Sequence, residues 1–128
     1  MPGYLRFVIH ETSPSSGLRE GIFQAALRAL RREQVAGASW DRLRSLLDWF
    51  NDHLAKPERF SRGPAGSGRG ISWFKDSAKQ YVQKMFEVRE ILREAGIQVD
   101  VITTRRPGYL LYEDDAQIVA EPFADTGA

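Results

Sequence analysis

The sequence contains no cysteine and only two histidines. The lack of cysteine excludes disulfide bonds, thiolate metal sites and cysteine nucleophiles, and it fits a reducing compartment. The two histidines, His10 and His53, are far apart in the chain and do not match the ligand spacing of a zinc site. We therefore predict that the protein has no metal site.

The chain also lacks a long apolar run and a large excess of charge of either sign. A membrane-spanning helix needs about 20 consecutive apolar residues, and no stretch approaches that length. Residues 1–11 lack the pattern of a secretory signal peptide. The formal net charge is +1, which by itself favours no polyanionic partner. These observations predict no membrane association and a cytoplasmic location.

The length and composition are those of one ordinary globular domain. The chain has 128 residues, of which 42% are hydrophobic and 27% are charged, and this balance is typical of a folded protein rather than a disordered one. We predict a single α+β domain over residues 1–123 and a flexible tail at 124–128. Within the domain, residues 56–75 are predicted to form a loop rich in glycine and arginine.

Hydrophobic periodicity predicts the order of the elements. Apolar residues at intervals of three to four predict helices over residues 18–34, 39–57 and 76–96. Alternation or short apolar runs predict strands over residues 4–11, 97–101, 109–112 and 118–120. The simplest arrangement is an α+β fold, a four-stranded and mostly antiparallel sheet with the three helices packed on one face.

The predicted first strand has one face for the core and one mixed face. The face expected to pack on the helices carries Leu5, Phe7 and Ile9. The opposite face is expected to expose Tyr4, Arg6, Val8 and His10, joined by either Tyr109 with Leu111 or Leu110 with Tyr112. Exposed apolar patches usually mark partner surfaces, and a two-fold dimer is a simple way to cover one.

The segment 56–75 concentrates positive charge between aromatic residues. Its cations are Lys56, Arg59, Arg62, Arg69 and Lys75, against the single acid Glu58. Four glycines separate them, and Phe60, Trp73 and Phe74 bracket the segment. We predict that this loop hangs outside the packed body and binds a partner. The predicted binding residues are Arg59, Arg62, Arg69, Trp73, Arg105 and Arg106.

Two other readings of this loop involve phosphate. Arginines spaced by glycine can follow a nucleic-acid backbone while aromatic side chains stack on bases, so polyanion binding is an alternative function. Gly63 and Gly68 have the spacing of a nucleotide-binding loop, but Arg69 replaces the phosphate-binding lysine and Gly70 replaces the magnesium-binding hydroxyl residue. The sequence therefore favours an irregular surface connection over a nucleotide site.

The end of the first strand carries a group suited to acid–base chemistry. His10 and Glu11 are followed by Thr12 and Ser13, and a histidine beside a carboxylate can act as a base. The segment HETS, with REGI at residues 19–22, resembles the opening of ADP-ribosyltransferases. That resemblance implies an NAD-binding enzyme in which His10 and Thr12 contact NAD, although the tyrosine and late glutamate of that family are not matched.

A strand terminus that enters a turn explains the His10 group better than a catalytic pair does, and no other set of residues dictates a reaction. We therefore predict a small non-enzymatic interaction module with no catalytic residue and no cofactor. Its partner is predicted to be another protein or a second copy of the chain, bound through the sheet face and the basic loop. Nucleic-acid binding and the NAD-binding enzyme remain the alternatives.

Overall fold

The computed structural model describes residues 3–12, 19–54, 71–121 and Phe123, and these residues form an α+β fold. Its helices are α1 (Ile22–Arg31), α2 (Gly37–His53) and α3 (Lys79–Glu94). Its strands are β1 (Tyr4–Thr12), β2 (Arg19–Gly21), β3 (Ile71–Lys75), β4 (Val99–Thr104), β5 (Tyr109–Glu113) and β6 (Gln117–Glu121). The predicted fold class and the three predicted helices are thereby confirmed.

The predicted number of four strands is wrong. Five strands are hydrogen-bonded in the order β2-β1-β3-β6-β5, and β4 pairs with β1 outside this path. The pairings β1–β2, β1–β3, β3–β6 and β5–β6 are all antiparallel. β2 was not predicted because three residues are too few to show an alternating pattern. The packing of all three helices on one face remains a prediction.

The second missed strand, β3, lies inside the segment predicted to be a loop. Ile71, Trp73 and Phe74 are buried in this strand, and only Ser72 between them is exposed. Aromatic and β-branched residues suit a pleated and largely buried surface, so the end of the predicted loop is a strand. The remainder of that loop, residues 56–70, lies outside the described residues.

The chain forms two compact units, each made of separate segments. The first unit contains Met1–Arg6, Lys56–Val82 and Ile102–Ala128, and the second contains Phe7–Ala55 and Gln83–Val101. The backbone of β1, α3 and β4 therefore runs from one unit into the other. The prediction of a single domain over residues 1–123 remains a prediction.

The second unit contains α1, α2 and most of α3. Phe23 and Phe50 meet edge to face with ring centroids 5.2 Å apart, and Phe7 of β1 meets Phe86 of α3 in the same way at 5.1 Å. Such aromatic pairs add to the stabilisation from buried area. Helix α1 begins at Ile22, four residues later than predicted, because Gly21 pairs with Val8 in the sheet.

Neither face of β1 is open to solvent in the middle of the strand. Phe7 and Ile9 are buried as expected, but Val8 is fully buried between them. Since neighbouring strand residues point to opposite faces, both faces of β1 are covered at this point. The predicted exposure of Val8 on a mixed face is therefore wrong, because burial on both sides removes the alternation that the sequence pattern assumes.

The end of α3 agrees with the sequence, whereas its start does not. Gly96 has φ of 85°, and the Ile97 N–H donates to the Leu92 carbonyl at 2.9 Å. This is the glycine-terminated ending predicted at Gly96. The helix predicted from residue 76 begins later, at Lys79, and the Asp76 carboxylate accepts a hydrogen bond from the Gly3 N–H at 2.8 Å.

Candidate functional site

The predicted binding residues fall into three groups. Arg59, Arg62 and Arg69 lie outside the described residues. Trp73 lies in β3 with only 1% of its surface exposed. Arg105 and Arg106 are exposed in the connection that follows β4. Of the predicted binding residues that the structure describes, only these two arginines lie at the surface.

Trp73 is a core residue of the first unit. It is paired with Ile118 of β6, and its indole Nε1 is buried and has no hydrogen-bond partner among the described residues. An unsatisfied buried donor costs about 1–3 kcal/mol, and burial of the large ring offsets that cost. Because the ring is enclosed, we exclude Trp73 from any proposed surface.

Strand β5 provides the exposed large hydrophobic residues among the described residues of the first unit. Among the described strands it pairs with β6 alone, so it lies at an edge of the sheet. Tyr109 is 52% exposed and Leu110 is 55% exposed, more than any other large hydrophobic residue that the structure describes. β4, by contrast, exposes only Thr103. An edge strand with exposed apolar side chains is a template for pairing with another strand.

A bulge in β5 determines which side chains share a face. Leu110 is paired with Ala120 and Tyr112 is paired with Val119, which leaves Leu111 as an extra residue. Directly paired residues lie on the same face of a sheet. Both tyrosines of β5 therefore lie on one face, and Leu110 lies on the other. The sequence alternative that placed Leu110 and Tyr112 on one face is therefore wrong, because it assumed an unbroken alternation.

A cluster of basic and aromatic side chains lies at the start of β5. The Arg106 guanidinium lies 5.2 Å from the centroid of the Phe123 ring. The Tyr109 ring meets the same Phe123 ring edge to face at 4.8 Å. The Arg106 backbone N–H donates to Thr104 Oγ1 at 3.1 Å. These contacts place a cation beside the exposed start of β5.

The residues after β5 form an acidic turn that Asp114 organises. Its carboxylate accepts hydrogen bonds from the Tyr112 hydroxyl at 2.7 Å and from the backbone N–H groups of Ala116 and Gln117, both at 2.9 Å. Partial burial disfavours its charged form, but the hydrogen bonds outweigh that effect and lower the pKa of Asp114 below its ordinary value. Asp114 therefore holds the turn between β5 and β6.

The last residue of β5, Glu113, forms an ion pair with β3. Lys75 Nζ lies 2.6 Å from Glu113 Oε2, and the hydrogen bond to Glu113 raises the pKa of Lys75 above its ordinary value, against a smaller effect of desolvation. Asp115, next in the turn, is exposed. We call the edge of β5 and its two charged ends the β5 surface, which consists of Arg105, Arg106, Tyr109, Leu110, Glu113, Asp115 and Phe123.

An open cleft of about 510 Å³ lies in the same unit. Its described lining is Gly3, Tyr4, Leu5, Asp76, Thr103, Thr104 and Arg105. Three hydroxyl residues, one cation and one carboxylate in this lining could hydrogen-bond a small polar molecule. No group of three or more histidine, aspartate or glutamate side chains among the described residues could hold a metal ion.

A second hollow, on α1, has a basic lining that we did not single out from the sequence. It has a volume of about 300 Å³, and its described lining is Gln24, Leu27, Arg28, Arg31 and Arg32. The signal was present as arginines three and four residues apart, which share one side of a helix.

The acid–base hypothesis falls on side chains that lie outside the described part of the chain, those of His10, Glu11 and Thr12. The other histidine, His53, donates through Nδ1 to the Trp49 carbonyl at 2.8 Å and stacks on the Trp49 ring. That position in the last turn of α2 is a favourable one for a histidine. The NAD-binding alternative therefore stays a prediction.

No family model, curated protein or solved structure matches the chain. Within residues 3–12, 19–54, 71–121 and 123, no helix is both long enough and apolar enough to cross a membrane.

Proposed function

We propose that this protein is an interaction module that binds another protein through the β5 surface. The observation that supports this most strongly is the exposure of Tyr109 and Leu110 on an edge strand. Exposed single apolar residues are common on protein surfaces. Two adjacent ones on a strand edge, flanked by charges of opposite sign, form a surface suited to partner recognition.

Strand addition is the binding mode that fits this surface. An extended segment of a partner can hydrogen-bond to the outer backbone edge of β5, and its side chains then lie beside those of β5 on both faces of the sheet. Covering the exposed half of Leu110 would contribute roughly 1 kcal/mol. The ring of Tyr109, already fixed against Phe123, would lose little conformational freedom on binding.

The edge replaces the sheet face that the sequence predicted as the binding surface. All five residues of β6 are buried, so both faces of the sheet are covered at this strand, as they are at Val8 of β1. Among the described residues of the first unit, the exposed large hydrophobic side chains lie instead in β5. The part of the hypothesis that concerns the loop at residues 56–70 stays a prediction.

The absence of cysteine permits a direct test of this site. In Leu110→Cys the introduced thiol is the only one in the chain, and it can carry a benzophenone photocrosslinker. Gln83→Cys, at an exposed position of α3, is the matched control. Purified labelled protein would be added to an extract of the source cells and irradiated, and the products would be identified by mass spectrometry.

We expect specific products from position 110 that do not form from position 83. An excess of unlabelled wild-type protein should reduce their yield, and an excess of Leu110→Glu protein should not. Identical products from both positions, or products that Leu110→Glu removes as well as wild type does, would contradict the proposed site.

The arginines of α1 support polyanion binding as a second candidate function. Arg31 and Arg32 are exposed and lie beside Arg28 in the hollow on that helix. A group of guanidinium ions on one helical side can contact successive phosphates. In this second candidate function, the basic surface lies at α1 rather than on the loop predicted from the sequence.

The test is the binding of a fluorescent single-stranded oligonucleotide at several salt concentrations. We expect Arg31→Glu/Arg32→Glu to abolish binding and the control Arg44→Glu/Arg93→Glu to retain it, with affinity falling steeply as salt increases. Binding that is independent of salt, or equal loss in both double variants, would refute a site on α1.

A further inference from the structure

On the basis of the proposed protein-binding function, we infer that the partner of the β5 surface is a second copy of this chain. The two β5 strands would pair antiparallel, edge to edge, about a two-fold axis beside Leu110, so that the two Leu110 residues lie opposite each other. Three features of the strand support this occupant: the order of its charges, the distribution of its apolar side chains and the short length of its free edge.

The charges of the β5 surface are complementary to themselves when the strand is inverted. Arg105 and Arg106 precede the strand, whereas Glu113 ends it and Asp115 follows, and all four side chains are exposed. Antiparallel pairing places the start of each strand beside the end of the other. The arginines of each copy would then lie beside Asp115 of the second copy and near Glu113, which is already paired with Lys75 of its own chain, and symmetry forms this contact twice.

The apolar side chains are also arranged for self-pairing. A two-fold axis perpendicular to the sheet keeps each face on its own side. The bulge places Tyr109 and Tyr112 on one face, so the tyrosines of both copies would lie together there, and the two Leu110 side chains would lie together on the other face. Cross-strand aromatic and aliphatic contacts of this kind stabilise paired strands.

The length of the edge limits the assembly to a weak and closed dimer. Each β5 has one edge on β6, so pairing uses its other edge in both copies and leaves none on β5 for a third chain. Pro107 lies just before the strand and has no N–H to extend the ladder. A contact confined to five residues falls in the small, transient class of interfaces, for which we expect a Kd of roughly 10 µM to 1 mM.

The experiment is sedimentation equilibrium of the full chain up to about 1 mM, at low and high salt, with five variants. Leu110→Glu should weaken the dimer at least about 30-fold, because it brings two carboxylates to the centre of the contact. Arg106→Glu and Asp115→Lys should each weaken it about three- to tenfold. The control Arg44→Glu makes the same charge change on α2 and should leave the dimer unchanged.

The decisive variant combines Arg106→Glu with Asp115→Lys. In a two-fold pair the exchanged charges again lie beside opposite charges, so the double variant should dimerise more tightly than either single variant. Far-UV circular dichroism and urea unfolding of each variant would establish that it is folded. The antiparallel contact would be contradicted if the double variant lost as much dimerisation free energy as the two single variants lose together.

A strictly monomeric wild type at 1 mM, or a dimer that Leu110→Glu does not weaken, would overturn the inference. The photocrosslinking experiment distinguishes this failure from failure of the proposed function. Site-specific crosslinks to a different protein from a monomeric wild type would leave the binding function intact and remove only self-pairing. A monomer without specific crosslinks at position 110 would refute both.

Discussion

Glu33 has a backbone conformation that favours glycine. Its φ is 54°, and it lies at the end of α1, where the Gln34 N–H donates to the Ala29 carbonyl at 2.9 Å and the Glu33 N–H donates to the Leu30 carbonyl at 3.3 Å. This is the same type of helix ending that Gly96 provides for α3. In α1 this position is filled by Glu33, which has a Cβ and places a negative charge near the negative end of the helix dipole.

We therefore expect Glu33→Gly to stabilise the protein by about 0.5–1 kcal/mol, because glycine adopts this conformation without steric cost. The matched control Glu33→Gln removes the charge and keeps the backbone strain, so it should give only the smaller electrostatic gain. Urea unfolding measures both free energies. Equal stabilisation by the two variants would show that charge, rather than backbone conformation, limits this helix ending.

Asp114 should make stability depend on pH. Its pKa is lower in the folded chain than its ordinary value, so its ionised form stabilises the fold above the pKa of the unfolded chain, about 4. That contribution is lost as the pH falls through the lower pKa of the folded state. We expect Asp114→Asn to reduce the free energy of unfolding by about 1–2 kcal/mol at pH 7, with a smaller reduction at pH 3.

Asp115→Asn is the control for this prediction, because Asp115 lies in the same turn and is exposed. It should change stability by less than about 0.5 kcal/mol. Urea unfolding at pH 7 and at pH 3 compares the three proteins. A difference between wild type and Asp114→Asn that stays constant with pH would contradict the role of the ionised carboxylate.

At the scale of elements, β5 and β6 are adjacent strands that differ in the exposure of their side chains. Leu110 and Ala120 are directly paired and lie on the same face, yet Leu110 is 55% exposed and Ala120 is fully buried. The contrast follows from their positions at the edge and in the interior of the sheet. Leu110 is therefore available for binding, whereas Ala120 is required for folding.

We expect Leu110→Glu to change the free energy of unfolding by less than about 0.5 kcal/mol. Ala120→Glu should prevent folding or cost more than about 4 kcal/mol, because it buries an unpaired charge. Thermal and urea unfolding measure both effects. Strong destabilisation by Leu110→Glu would place that side chain in the structural framework and would weaken the proposed binding role.

At the scale of the whole molecule, the two compact units share three elements through chain continuity. Because β1, α3 and β4 each contribute residues to both units, unfolding of one unit would truncate strands and a helix of the other. We therefore expect a single cooperative transition, with the calorimetric enthalpy equal to the van't Hoff enthalpy.

A matched pair of variants tests this cooperativity. Ile118 in the first unit and Ile91 in the second are both buried, and Ile→Val at either site should cost about 0.5–1.5 kcal/mol. Each should lower the Tm of the same transition by about 2–6 °C. Two transitions in differential scanning calorimetry, with each variant shifting only one, would show that the units unfold separately.

Local sequence features determined the fold class, the three helices and some of their ends. The apolar stripe of each helix depends on a period of 3.6 residues, and the ending at Gly96 depends on the backbone freedom of one residue, so both are visible in the chain itself. The two missed strands were not visible in this way. β2 is too short for a period, and β3 lies in a segment whose cations and glycines favoured a loop.

The candidate site was only partly accessible from the sequence. Arg105 and Arg106 stood out as adjacent charges before a strand, whereas Trp73 stood out as an aromatic beside a basic loop and proved to be buried. Burial on both faces of β6, the bulge at Leu111 and the place of β5 at the edge depend on which strands pair and in what register. Composition and periodicity carry no information on such long-range pairing, so only the tertiary structure decided which apolar residues remained exposed.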